Sequence, residues 1–510
     1  MSGSRTKNAK RNIAVGLIRE VVSMVLAFAT RTMVLYVLGE QYLGLGGLFT
    51  AILNVLNLAE LGFNVAVTFF LYKPIAENDT AQICAITAYL RKIYHIIGSV
   101  VLTAGLCVLP FLTKLISGGY PDDINIYILY VIYLANTVST YWFCAYKSIL
   151  LSAAQRTDVV SKVYITTSFA TKILQLFALV LLGNYYLFAV LLVIGTVSNN
   201  LLLHYISKKI MPEITPRGEI SRELRSSIGR QMRAIFIGKL SDLSRNSCDS
   251  IFLSAWFGLA VVAVYDNYMY IYNALFSVVW TISGAIHASV GNSLVQESLE
   301  KNKSNFVKFD FLFNWFVSWC TVCLFCLFQP FMRIWMKGNE SLLLSDRNMI
   351  LICLYFYLMG SCAMQNVYVG SAGLFLEIKN WYIVESVSNL FLNAVLGYYM
   401  GVTGIILATL ISALVCNFAV RSGILFRSYF KLSPGMFYWK HAVYFAVMIC
   451  ASIVTAQVCS FIPYDGIPGF VLRMFVCAVV PNLVFAALYW KDSSFRECMR
   501  MLREIIQVKE

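Results

Sequence analysis

Charged side chains are scarce in this 510-residue chain: Asp, Glu, Lys and Arg together make up 13% of it, about half of the roughly 25% usual in soluble domains. There are only four histidines; His95 and His287 fall near helix ends and read as interfacial rather than catalytic. No Gly-x-x-x-x-Gly-Lys-Ser/Thr loop occurs, so ATP hydrolysis within the chain is not expected. Gly44-Leu45-Gly46-Gly47 resembles a nucleotide loop only superficially, because it opens an apolar stretch with no strand before it. Long loops are also missing. The outer ones are as short as Gly118-Gly119-Tyr120-Pro121-Asp122-Asp123, too small for a catalytic domain, which needs about 50 residues or more. The fourteen cysteines are scattered through apolar runs and suggest packing residues rather than a disulfide framework. Cys320, Cys323 and Cys326 match a Cys-x-x-Cys spacing, but they sit mid-stretch among Trp319, Leu324 and Phe325 with no histidine nearby, so no metal site is expected. Nor does a small-residue cleavage site follow the first apolar run, which predicts a retained first span.

What is present is apolar: 59% hydrophobic residues, 15% of the chain aromatic. About fourteen stretches are long enough to cross a bilayer, beginning with 12–36, 43–71 and 86–115 and ending with 438–461 and 468–490. The expectation is an all-α polytopic membrane protein with both termini on one side. Of the 40 Lys and Arg residues, the charge count assigns five to one set of loops (Lys114, Arg333, Lys337, Arg347, Arg473) and four to spans (Arg31, Lys172, Lys239, Arg245). The rest fall at the termini and in the other loops, which predicts cytoplasmic termini. The net charge of +14 then reflects topology and requires no nucleic-acid partner. Residues 211–232, with Arg217, Arg222, Arg225, Arg230, Pro212 and Pro216, read as a cytoplasmic linker between a six-helix lobe over 1–210 and another over 233–430, followed by two additional helices and a tail over 431–510. A faint repeat supports paired lobes: a shift of 219 positions lays Leu38-Gly39 on Phe257-Gly258 and Asn54 on Asn273.

The charges inside the spans carry the functional reading. In 233–257, Lys239, Asp242, Arg245 and Asp249 recur at spacings of three, three and four, which puts all of them on one helical face. An ionisable group near the bilayer centre costs about 2.5–3.5 kcal/mol on insertion scales, so such a face looks inward, to a partner or a hydrated path. Two readings stand: intrahelical pairing of Lys239 with Asp242 and of Arg245 with Asp249, or a polar, net-cationic passage. Arg31 either offers its planar fork to a phosphate or carboxylate or snorkels to the headgroups. Lys172, near the middle of its span, has no short route to either interface. Glu60 either exchanges protons, as burial favours in a carboxyl group, or permanently balances a basic residue. Asp266, early in its span, suggests exposure.

The run from Arg31 through Leu38-Gly39-Glu40-Gln41-Tyr42-Leu43-Gly44-Leu45, Leu48-Phe49-Thr50, Leu58-Ala59-Glu60-Leu61-Gly62 and Leu71-Tyr72-Lys73-Pro74 to Asp79 resembles the N-terminal signature of Wzx-type polysaccharide and O-antigen flippases. These belong to the multidrug/oligosaccharidyl-lipid/polysaccharide superfamily. Asp249-Ser250-Ile251-Phe252-Leu253-Ser254, Tyr265, Trp381 and Ser386 through Asn393 look like its C-terminal half, and the resemblance covers about residues 10–460. It implies twelve or fourteen helices in two lobes around a V-shaped cavity, and a substrate of undecaprenyl-pyrophosphate carrying one glycan repeat unit. Gly46 departs from the pattern, where a polar side chain would follow the Leu-Gly-Leu triplet. The combined expectation is a non-enzymatic flippase of the bacterial cytoplasmic membrane, serving surface polysaccharide biosynthesis beside a polymerase and glycosyltransferases. Arg31, Lys172, Lys239 and Arg245 would bind the substrate. Glu60, Asp242 and Asp249 would balance them or couple transport to H+ or Na+ in an antiport cycle. No cofactor is expected. The alternatives are a cation-coupled multidrug exporter or a peptidoglycan-precursor flippase of the same superfamily. A membrane-embedded glycosyltransferase or polymerase fits less well, because no long outer loop exists to carry its chemistry.

Overall fold

The computed structural model describes residues 2–57, 63–144, 146–230, 232, 244–462 and 466–507; the side chains of 2–14, 17, 63–66, 246, 285, 288–289, 295 and 501–507 fall outside the description. Among the described residues every regular element is helical. Only helices and closed barrels satisfy all backbone groups in hydrocarbon, and this chain takes the first route. Nine described helices are long and apolar enough to cross a membrane, or ten if the pair Ile126–Trp142 and Tyr146–Ala153, bent by 44°, counts as one.

The N-terminal unit, Met1–Ala263, contains α1 (Ser2–Val37), α2 (Glu40–Leu56), α3 (Phe63–Glu77), α4 (Thr80–Val108), α5 (Ile126–Trp142), α6 (Tyr146–Ala153), α7 (Thr157–Leu182), α8 (Tyr185–Ile210) and α9 (Asp249–Phe257). Helix α1 has 36 residues, about 54 Å at 1.5 Å per residue, so it overshoots a hydrocarbon core of about 30 Å. The joints follow ordinary capping chemistry. Helix α7 ends on Gly183 in the left-handed region, at φ 58°, where a residue without a Cβ is favoured. The next residue, Asn184, caps α8 by accepting from the Leu187 N–H at 2.9 Å. Two residues thus turn the chain back on itself.

The C-terminal unit, Val264–Glu510, holds most of α10 (Leu259–Gln296), then α11 (Leu299–Trp335), α12 (Asp346–Ser361), α13 (Ala363–Ser371), α14 (Phe375–Met400) and α15 (Val402–Ser412). A π-helical stretch Ala413–Val420, a single turn α16 (Arg421–Ile424) and a second π-helical stretch Leu425–Phe430 continue α15. Helices α17 (Gly435–Ser460), α18 (Gly466–Tyr489) and α19 (Ser493–Gln507) follow. The last does not trail free: Phe495 stacks on Trp315 of α11 at 5.7 Å, and Lys308 pairs with Glu497 at 3.3 Å.

Packing divides the chain at 263/264, inside α10, so the described part of 233–257 lies with the N-terminal unit. The reason is visible at Gly44. A Cβ there would stand 2.1 Å from the Leu259 carbonyl oxygen, so the backbones of α2 and the start of α10 are in direct contact. The basic segment after α8 is also docked: buried Lys147 donates to the Ile214 carbonyl at 3.4 Å, and Cys84 to that of Glu213 at 3.7 Å. Outward faces carry a belt of exposed apolar side chains, with aromatics at helix ends including Tyr398, Tyr399, Trp439, Phe461 and Trp490, the pattern of a lipid-facing surface with interfacial anchors.

Gly44→Ala should therefore destabilise the chain by overpacking, about 1–3 kcal/mol, because the obstructing atom is backbone. Gly39→Ala meets no steric obstacle, yet its φ of 103° makes it a strain control. Thermal melts of both proteins in detergent check the contrast, with Gly16→Ala, in open space, expected to leave the midpoint unchanged.

Candidate functional site

Glu60, Lys239 and Asp242 lie outside the described residues. The remaining predicted residues, Arg31, Lys172, Arg245 and Asp249, all belong to the N-terminal unit.

Helices α1 and α7 lie side by side. Ser23 Oγ is 3.4 Å from Tyr164 Oη, and the Arg19 guanidinium stands 4.7 Å over the Tyr164 ring. Further on, the charge of Arg31 acts on the Tyr185 hydroxyl, just past the end of α7, so the two helices run in the same direction. Arg31 and Lys172 each follow the Ser23–Tyr164 contact by eight residues, about 12 Å of helix. They therefore lie on adjacent helices that run in the same direction. Arg31 reaches inward, donating from Nη2 to the Ala263 carbonyl at 3.3 Å. Lys172 Nζ donates to Gln175 Oε1 at 3.0 Å, and buried Gln175 donates from Nε2 to the Phe188 carbonyl on α8 at 2.9 Å. Among their contacts, Arg31 thus reaches a backbone carbonyl and Lys172 a side-chain amide oxygen.

Beside Arg31 lies a buried hydroxyl pair that sequence reasoning missed. Tyr133 Oη and Tyr185 Oη are 3.0 Å apart, and Tyr185 donates to the Tyr42 carbonyl at 3.0 Å. A Cβ on Gly46 would stand 2.8 Å from the Tyr185 hydroxyl and 3.1 Å from that of Tyr133. The departure from the flippase pattern at this position has a physical reason: two rigid phenols supply the polar groups there, and the glycine makes room for them.

Arg245 and Asp249 are both buried, one turn apart, Arg245 in a π-helical stretch (Ser244–Cys248) and Asp249 at the first position of α9. Single π-helical turns recur at functional sites because their extra residue re-aims side chains. Asp266 is half-buried, whereas His95 and His287 are exposed.

The C-terminal unit contains charges that the sequence reading overlooked. Arg421, which the charge count assigned to a loop, is 5% exposed and pairs with fully buried Glu385 at 2.8 Å. Its guanidinium also stands 4.2 Å over the Tyr382 ring. Nearby, on the same face of α14 at spacings of four, are buried Asn389 and Asn393; Asn389 donates to Thr409 Oγ1 at 3.1 Å and Ser412 Oγ at 3.3 Å. A second buried pair joins His441 Nε2 to Asp310 Oδ2 at 3.1 Å. The signal for these was present, since Glu385 and Arg421 both fall within apolar stretches, but only the fold shows that they meet.

Removing one partner of a buried ion pair strands the other, at about 3–5 kcal/mol, whereas replacing both is often nearly neutral. Glu385→Gln and Arg421→Met should each lower the thermal midpoint in detergent markedly, and the double variant should recover most of the loss. Additive losses would argue against a mutually compensating pair.

No protein-family model matches the chain, and no curated protein matches it in sequence. Solved structures do. The lipid II flippase MurJ in its inward closed conformation superposes with a TM-score of 0.67 at 13% identity, over 94% of this chain and 99% of that one. An inward-facing multidrug resistance MATE family transporter of the MOP superfamily gives 0.61 at 17% identity, over 80% and 96%. A MOP superfamily transporter from Pyrococcus furiosus, described as having a binding pocket of reverse polarity, gives 0.58 at 15% identity, over 84% and 97%. At these identities the likeness is one of architecture, and on that evidence the chain has the fold of MOP superfamily transporters.

Proposed function

We propose that this protein is a flippase of the bacterial cytoplasmic membrane that moves an undecaprenyl-pyrophosphate-linked oligosaccharide repeat unit from the cytoplasmic to the outer leaflet for surface polysaccharide biosynthesis, with both termini cytoplasmic. The observation that supports the proposal is that two cations of apolar stretches, Arg31 and Lys172, lie on the adjacent parallel helices α1 and α7 and reach a backbone carbonyl and a side-chain amide oxygen within the N-terminal unit. Fixed cations serve an anionic head group, which cannot enter hydrocarbon unaided. Arg31 supplies a bidentate fork for a diphosphate oxygen pair, and Lys172 a compact point charge. Arg245 and Lys239 are the further candidates for contacts to the head group. Glu60, Asp242 and Asp249 either hold these cations in place or take up H+ or Na+ in an alternating-access antiport cycle. The prenyl tail stays in lipid throughout. No covalent step is involved, and the glycosyltransferases that build the repeat unit and the polymerase that consumes it are the natural neighbours.

Two other cargoes are compatible with the fold. The MurJ likeness over nearly the whole chain favours a peptidoglycan precursor, which shares the prenyl-pyrophosphate head. A drug exporter for organic cations would need uncompensated acidic groups, and in the C-terminal unit buried Glu385 is already neutralised by Arg421.

Arg31→Ala and Lys172→Ala should each abolish surface polysaccharide in a complemented deletion strain while leaving membrane abundance unchanged. Arg31→Lys should restore only part, because an ammonium lacks the fork. The lipid-linked repeat unit should accumulate on the cytoplasmic leaflet. Accumulation of the peptidoglycan precursor instead would reassign the cargo; unchanged surface glycan with raised sensitivity to organic cations would replace the flippase by an exporter.

A further inference from the structure

Three thiols distant in sequence converge in the C-terminal unit. Cys326 in the last third of α11, Cys459 in the last turn of α17 and Cys477 on α18 place their sulfur atoms within 4.8 Å of one another. The Cys-x-x-Cys spacing on α11 is not what forms this group. Of its three cysteines only Cys326 joins, while Cys323 donates to the Cys477 carbonyl at 3.5 Å. Contact alone would be compatible with small apolar packing. A second observation is not: Arg473 stands one helical turn before Cys477 on the same helix, its charge acts on Cys459, and its Nε is buried with no hydrogen-bond partner among the described residues. A cation that acts on one of the three thiols and keeps a buried Nε without a hydrogen-bond partner among the described residues is placed to balance negative charge formed there.

We infer that Cys326, Cys459 and Cys477 bind one thiophilic divalent cation of the zinc class as a three-thiolate site, with Arg473 as its counter-charge. Zinc–sulfur bonds of about 2.3 Å set sulfur separations near 4 Å in a trigonal or tetrahedral site, so the present spacing closes by less than about 1 Å. Three S–H bonds break, three metal–sulfur bonds form, and three protons pass to solvent. The charges then sum to zero: three thiolates, one divalent ion and one guanidinium. Soft thiolate donors select zinc-class or heavier thiophilic ions over the hard cations of an ion-coupling site, which keeps this site chemically separate from the proposed transport cycle. Its consequence is mechanical, since the ion staples the α17–α18 pair to α11.

Cadmium is the probe, because its thiolate complexes absorb in the near ultraviolet. The full-length chain, purified in detergent with reductant and stripped with a chelator, should develop a sulfur-to-cadmium band that saturates at one equivalent and releases three protons. Cys326→Ala should abolish the band, Arg473→Gln should weaken binding at least tenfold, and Cys353→Ala, a buried thiol of α12 outside the cluster, should change neither. A variant that fails to fold does not decide the matter, because the unaltered chain offers an independent readout: bound cadmium should protect these three thiols, and not Cys353, from alkylation after denaturant-free labelling and mass mapping. Absence of the band in the unaltered chain, its persistence in Cys326→Ala, or a disulfide between any two of the three after reductant-free purification would overturn the assignment.

Discussion

An ion taken out of water must find compensation close by, and the architecture of both units follows from how each buried charge meets that demand. In the C-terminal unit the solution is pairing. Glu385 and Arg421 close on each other within 2.8 Å, and Asp310 lies within hydrogen-bond distance of the His441 ring at 3.1 Å, so the helices that carry them are tied together. In the N-terminal unit Arg31 and Lys172 are instead oriented by a carbonyl and an amide oxygen. A dipole orients a cation without adding a charge of its own, which is the local setting the proposed anionic head group would meet.

Much of this was legible in the amino-acid sequence. Apolar runs separated by short loops required an all-helical membrane protein. Arg31, Lys172 and Arg245 stood out because a basic residue inside an apolar run violates composition locally. What the sequence concealed are relationships over long separations. Arg421 lies near the end of its stretch, where a cation is ordinarily interfacial, and only the meeting of α14 with the helical turn after α15 shows it to be internal. The thiol cluster was hidden for the same reason: the visible spacing, Cys320-x-x-Cys323-x-x-Cys326, is a property of one helix, whereas the convergence of Cys326 with Cys459 and Cys477 is a property of three.

Irregular helix geometry recurs where buried cations sit. Arg245 lies in the π-helical stretch Ser244–Cys248, and Arg421 begins the single α-turn between Ala413–Val420 and Leu425–Phe430. A π-turn weakens the regular i→i−4 ladder and rotates the side chains beyond it. In a lobe of straight apolar helices, such turns are an economical means of directing one long polar side chain away from lipid.

The contact at Gly46 has a consequence for how this fold varies among relatives. Its missing Cβ and the hydroxyls of Tyr133 and Tyr185 occupy one small volume, so the three positions are not free to drift independently. A serine or asparagine at the position of Gly46 would press on both hydroxyls, so one of the phenols would have to shift or be replaced by a smaller residue. Changes at Gly46 and at Tyr133 or Tyr185 are therefore expected to be coupled, and covariation of these three positions is the trace such an exchange would leave.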